Sequence, residues 1–265
     1  MAIEHILIAH DLRDTADLAL RRAAQLAQQH RARLTLLHVL DQHLSAAARE
    51  QVERSLDHCL TQYAPAGSEL LLLSGRAADA VLSQIKQLQG DLLVLGAHHQ
   101  RHDFFSDTTL ERIAQGCQIP LLLVSRDDAQ PYQRALAALN FSLCACNAFG
   151  HAARLLPASA ELYALHVFEA GKGPASEHES QRLTQCALIE QLLRDETQHL
   201  PASRPQITHT VHAGSMPQTL YAMIDTYQPQ LLVLGWHCRN ALTQVLANWV
   251  QQCLSKPPCD VLIAR

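Results

Sequence analysis

The chain has 265 residues, 48% of them apolar, and a formal net charge of −4. At roughly 100–200 residues per domain, that length fits two domains, and the apolar share is enough to give each a buried core. Charges of both signs are interspersed, so nothing favours DNA, RNA or an anionic membrane as a partner, and no apolar run approaches the ~20 residues of a membrane span.

The first residues, MAIEHILIAHD, carry an acid at Glu4 and neither a basic start nor a cleavage pattern, so they read as a strand and not as a signal peptide. The run HILIAH (5–10) suits a strand buried on both faces. Asp14 or Thr15 is expected to cap the helix that follows. That helix places Leu18, Ala19, Ala23, Leu26 and Ala27 on one face, with arginine and glutamine opposite. RLTLLHVL (33–40) is the second strand, the stretch 45–64 the second helix, and ELLLLSG (69–75) the third strand. A third helix is expected at 77–88, a fourth strand at 91–96, a fourth helix at 108–116 and a fifth strand at 119–125. Short strands alternating with helices imply right-handed crossovers and a parallel sheet.

The same text is then written a second time. LLVLG at 92–96 recurs at 231–235, LLHV at 36–39 is matched by ALHV at 164–167, and Gly75 is matched by Gly214. PLLLVS at 120–125 is matched by DVLIAR at 260–265. A longer loop is expected near EAGKGPASEHES (169–180). The join falls in the polar, proline-containing SRDDAQPYQR (125–134), giving domains at 1–126 and 131–265. The expected fold is α/β, with two tandem doubly wound parallel five-stranded sheets of Rossmann-like type. Any ligand then sits at the carboxyl ends of the strands, where the strand order switches.

Eight cysteines are scattered through the chain and read as reduced thiols of a cytosolic protein. Cys144 and Cys146 lack the spacing and the second half of a zinc knuckle. His98 and His102 stand at helical ligand spacing with His99 between them, but they follow a strand into a loop, with no acid or cysteine at a diagnostic distance. They read as polar loop residues, and no metal is expected. His38 and His166 occupy equivalent strand ends, where a ring-to-backbone hydrogen bond is the expected role. Neither a nucleophile elbow nor a Walker loop is written anywhere, so no enzymatic activity is expected.

Five features recur in order: Ala9-His10-Asp11, Leu37-His38-Val39, Gly75, Leu93 to Gly96, and Glu111-Arg112-Ile113 ahead of a final strand. Nearly the whole chain resembles a tandem universal stress protein, with the adenine-nucleotide alpha-hydrolase-like fold and the two domains packed as a pseudo-dimer. In the family's nucleotide-binding branch, a loop of form G-x-x-G-(x9)-G-[S/T] holds the phosphates, and an Asp at the first strand end supports the nucleoside. Glycines there let amides reach phosphate oxygens. Here His99 stands at the second glycine position and Asp107 at the third, with Thr108 at the hydroxyl position, in a loop two residues shorter. In the second copy, Cys238 and either Ala247 or Asn248 replace those glycines, and Asn140 replaces the aspartate. The resemblance is to the subgroup that does not bind ATP. It implies a cytoplasmic, non-enzymatic protein of the stress response, without cofactor, acting through unidentified protein partners and capable of forming a homodimer. The alternative is an ATP- or AMP-binding regulator using Asp11, Gly75, Gly96 and Thr108 in the first domain; Asp11 reads equally well as a cap of its own loop.

Overall fold

Strands and helices alternate along both copies of the repeat. The computed structural model describes residues 2–97, 107–169, 175–236 and 253–265. The first copy holds β1 (His5–Ala9), α1 (Asp14–His30), β2 (Arg33–Leu40), α2 (Ala46–Tyr63), β3 (Glu69–Ser74), α3 (Ala77–Leu88), β4 (Leu92–Gly96), α4 (Asp107–Gly116) and β5 (Leu121–Val124). The second holds β6 (Arg134–Leu139), α5 (Leu143–Leu155), β7 (Glu161–Phe168), α6 (Ala175–Gln198), β8 (Gln206–Ala213), α7 (Met216–Tyr227), β9 (Leu231–Gly235) and β10 (Asp260–Ala264). By packing, residues 1–131 with 251–261 form one compact unit, and residues 132–250 with 262–265 form the other.

β1–β5 pair with one another in parallel, and so do β6–β9. β1 lies between β2 and β4, β2 also pairs β3, and β4 also pairs β5. The second unit repeats the order, with β6 between β7 and β9 and β8 beyond β7. Ile6, Leu7 and Ile8 of β1 and Leu93 and Val94 of β4 are fully buried, as strands covered by helices on both faces must be. One side chain at the amino end of each sheet ties two strand starts together. The Asp91 carboxylate accepts the Glu4 and His5 amides at 2.8 and 2.9 Å, and Gln230 Oε1 accepts those of Gln133 and Arg134 at 2.6 and 3.2 Å.

Two sequence expectations for α1 need correction. The helix begins at Asp14 with Arg13 as N-cap and no side-chain cap bond, because the chain turns sharply at Leu12 (φ +67°) and reaches helical geometry earlier. Asp14 and Asp17 then serve the first turn as charges facing the helix dipole. The polar face is also not uniformly solvated. Arg22 is 1% exposed, whereas Leu18 is only half-buried. The Arg22 guanidinium donates to the backbone carbonyls of Gln130 and Asp128, and its Nε lies 3.5 Å from Asp260 Oδ2. Asp260, fully buried, also accepts the Ser125 and Arg126 amides at 2.9 and 3.1 Å. A buried cation is tolerated here because carbonyls and a carboxylate replace its water.

Removing the carboxylate strands that cation. Asp260→Ala is expected to lower unfolding free energy by about 3–5 kcal/mol in urea titrations. A loss under ~1 kcal/mol would mean that the carbonyls satisfy Arg22 alone.

Candidate functional site

The carboxyl ends of β1 and β2 and the start of α2 enclose a cavity of about 190 Å³ in the first unit. Its polar residues are His10, Asp11, His38 and Asp41, and its walls include Val39, Leu44, Val52 and Ala77. His38 carries the expected backbone bond, its Nδ1–H donating to the His10 carbonyl at 2.7 Å. That bond fixes the tautomer, leaving Nε2 as an acceptor. Burial pushes the His38 ring below the usual histidine range, against the His10 carbonyl, which favours the proton. The His10 ring has the opposite tautomer. Its Nδ1 accepts the Leu12 amide at 3.0 Å, so Nε2–H is donated to Asp17 Oδ1 at 2.9 Å.

The Asp11 side chain is 3% exposed, lines this cavity, and has Arg13 Nε 3.4 Å from Oδ2. Its counterpart in the second unit, Asn140, caps its own loop, accepting Ser142 N and Ser142 Oγ at 3.3 and 2.6 Å. The chain turns through left-handed backbone just after both positions, at Leu12 (φ +67°) and Phe141 (φ +59°). Non-glycine residues held there store strain, and the repeat keeps that strain in both copies. The second unit fills the space around its strand-end histidine. The His166 Nδ1–H donates to Leu139 O at 2.8 Å, Nε2 meets the Gln185 amide at 3.1 Å, and the Phe141 ring stands 4.7 Å away edge-on.

The other candidate residues are spread out. Gly75 lines a second cleft of about 370 Å³, together with Arg76, Thr109 and Arg112. This cleft shares Val39, Asp41 and Ala77 with the first. Gly75 has φ +112° and Gly214 φ +149°, so backbone conformation calls for glycine at both third-strand exits. Gly96 serves packing. A Cβ there would lie 2.5 Å from the Thr15 carbonyl oxygen, and one on Gly235 would lie 2.5 Å from the Ala145 nitrogen. Thr108 is the second residue of α4. His98, His99, His102 and Cys238 lie outside the described residues. Among the described residues, no three metal-ligating side chains come together, and the seven described cysteines are free.

Sequence reasoning missed His10, Asp17 and Asp41 as site residues. His10 and Asp17 are seven positions apart, two helical turns, a spacing that signals nothing until Leu12 bends the chain. Asp41 directly follows the end of β2 and belongs to no motif.

The geometry can be set beside known proteins. The sequence model of the universal stress protein family matches residues 2–125 and again 131–265. The chain therefore belongs to the universal stress protein family, as two tandem domains. Universal stress protein A of Salmonella typhi and of Escherichia coli strain K12 are each 28% identical over 147 residues, which is 49% of this chain and 99% of theirs. Among solved structures, a universal stress protein from Archaeoglobus fulgidus aligns over 100% of this chain and 99% of its own, at 13% identity and a TM-score of 0.73. A putative universal stress protein from Pseudomonas aeruginosa aligns over 99% and 93%, at 17% identity and a TM-score of 0.65. At such identities the likeness speaks to the fold.

The two glycine roles predict different costs. Gly96→Ala forces a methyl into backbone and is expected to destabilise by about 1–3 kcal/mol or more. Gly75→Ala meets open space and costs only its strained φ, about 1 kcal/mol. Equal losses in parallel urea titrations would refute the packing role.

Burial also lowers the affinity of His5 and His151 for protons, as it does for His38. Their ordinary value is 6.5, so the unfolded chain binds protons that the folded chain refuses. Their contribution to stability is complete above that value and is lost as the pH falls below it. The urea midpoint is expected to drop between about pH 7 and about pH 5, and to drop less in His38→Gln. A flat midpoint would show that these rings protonate freely in the fold.

Proposed function

We propose that the chain is a non-enzymatic, cytoplasmic stress-response protein that acts by associating with other proteins, its nucleotide loops degraded in both domains. This places it with the subgroup that does not bind ATP and needs no cofactor. The observation that carries the reading is the role of Gly96 and Gly235. Each is demanded by a helix backbone that a Cβ would strike at 2.5 Å, so the first loop glycine survives for packing, whatever happens to phosphate binding. At later loop positions the sequence departs from the family's form: His99 and Asp107 in the first domain, Cys238 in the second. Asp107 is the first residue of α4, where a phosphate would otherwise meet the helix dipole.

Support for association comes from exposed apolar side chains in the second unit. Leu143 is 76% exposed, and Leu183 and Leu188 on α6 are about half exposed. We read the tandem domains as an intramolecular pseudo-dimer, with a homodimer of whole chains as the next assembly level. Among the described residues, no helix is long and apolar enough to cross a membrane.

A second reading, an ATP- or AMP-binding regulator, draws on one feature: the first unit keeps a cavity beside Asp11 and His38. Thermal unfolding with Mg-ATP or Mg-AMP separates the two. No rise in Tm at millimolar nucleotide is expected. A nucleotide at 100 times its Kd would add about 2.7 kcal/mol of stability, and a rise of that order would establish the second reading instead.

A further inference from the structure

The second copy of the repeat shows how the corner around its strand-end histidine is completed. His166 gives its Nδ1–H to the Leu139 carbonyl at 2.8 Å, and its Nε2 lies 3.1 Å from the Gln185 side-chain amide on α6. With the proton on Nδ1, Nε2 is an acceptor, so the carboxamide turns its N–H toward it. The Phe141 ring stands edge-on to the imidazole at 4.7 Å. A neutral N–H donor and an aromatic ring thus accompany this histidine.

The first copy keeps the backbone bond and lacks the other two contacts. His38 Nδ1–H donates to the His10 carbonyl at 2.7 Å, His38 is 7% exposed, and its Nε2 has no protein partner among the described residues. The ring lines the cavity of about 190 Å³. Leu12 stands where the second copy has Phe141, and the α2 residue in the lining is Val52, which offers no donor. A buried acceptor without a donor is costly, so a donor from outside the chain is favoured here.

The charged groups around the cavity have partners of their own. Asp11 has Arg13 Nε 3.4 Å from Oδ2. Asp17 takes the His10 Nε2–H at 2.9 Å and also bonds the Cys59 thiol. Asp41 is exposed to solvent, and its Oδ1 holds the His43 amide at 2.9 Å. An ionic ligand would lose its water with no dedicated counter-charge to replace it, so selection falls to the uncharged acceptor. The walls are apolar: Leu12, Val39, Leu44, Val52 and Ala77. Past Leu12, Leu44 and Val52 the space continues into a cleft of about 320 Å³ between α1 and α2. Leu12 and Leu44 are both exposed, so the way in is apolar as well.

We propose that this corner of the first unit binds a small neutral aromatic molecule with one N–H or O–H donor, of the indole or phenol kind. The donor bonds His38 Nε2, as Gln185 serves His166, and the ring lies against Leu12, Leu44 and Val52, taking the part of Phe141. The second unit binds no such ligand, because Gln185 already holds that nitrogen. The inference goes beyond the association reading and shares with it only a first unit free of nucleotide.

The test uses the full chain with indole, with benzofuran as the isostere that has oxygen in place of the N–H, and with Mg-ATP as a separate arm. Indole is expected to raise Tm and to saturate at or below about 1 mM, with benzofuran weaker by about tenfold or more, since it leaves the acceptor unpaired. In spectra of histidine-15N protein, the Nε2 resonance that is missing from His38→Gln should move with indole. The double variant Leu12→Phe, Val52→Gln places an aromatic ring and an amide beside His38 and leaves that residue intact. Phe141 already occupies the equivalent left-handed position, at φ +59°, so the variant should fold, unfold in one transition and no longer bind indole. Equal binding of indole and benzofuran, a Tm rise without movement of the His38 resonance, or unchanged binding by the double variant overturns the proposal. No Tm rise with about 3 mM indole and none with Mg-ATP overturns this proposal alone, whereas a rise with Mg-ATP and none with indole overturns the non-nucleotide reading as well.

Discussion

In both units the helix after the first strand lies so close to the end of the fourth-strand equivalent that no side chain fits between them. Thr15 of α1 presses on Gly96, and Cys144 and Ala145 of α5 press on Gly235. That contact sets the distance between helix and sheet, and with it the level at which the first strand ends and its loop turns. The left-handed turns at Leu12 and Phe141 follow, since the chain must leave a buried strand and enter a helix tucked against its neighbour. In the first unit that turn leaves Asp11 and His10 facing a space that α2 closes from the side.

The same contact accounts for what the sequence keeps and what it changes. A glycine required by a helix backbone survives any change of ligand. On the proposed reading, glycines that only let a phosphate approach are not so constrained, and the two copies carry different residues there. The histidine pair shows this division too. His38 and His166 keep an identical bond from Nδ1 to the carbonyl at the end of the neighbouring strand, and only the environment of Nε2 differs. In the first unit it faces a cavity; in the second it meets Gln185. The same corner is thus lined differently in the two copies.

Much of this was legible in the sequence. In the first unit, apolar runs and helical periodicity marked the strands and helices to within a residue or two, and the repeated LLVLG exposed the tandem organisation. The backbone role of the two strand-end histidines was legible as well. Arg22 was not: a helical arginine reads as solvated, and only folding brings Asp260 and two carbonyls, distant in sequence, around it. Nor was the link between His10 and Asp17, which depends on a turn at Leu12 that leucine does not advertise. Pattern rules see what is local and periodic. Buried charge and cavities depend on contacts between distant parts of the chain.

The central claim is that the glycines after the fourth-strand equivalents remain for helix packing and that the loops beyond them no longer hold a nucleotide. Native mass spectrometry of the full chain, purified without added nucleotide and sprayed under gentle conditions, tests this most directly. The account predicts a single species with the mass of the bare polypeptide. A stoichiometric population carrying ATP or AMP would contradict it.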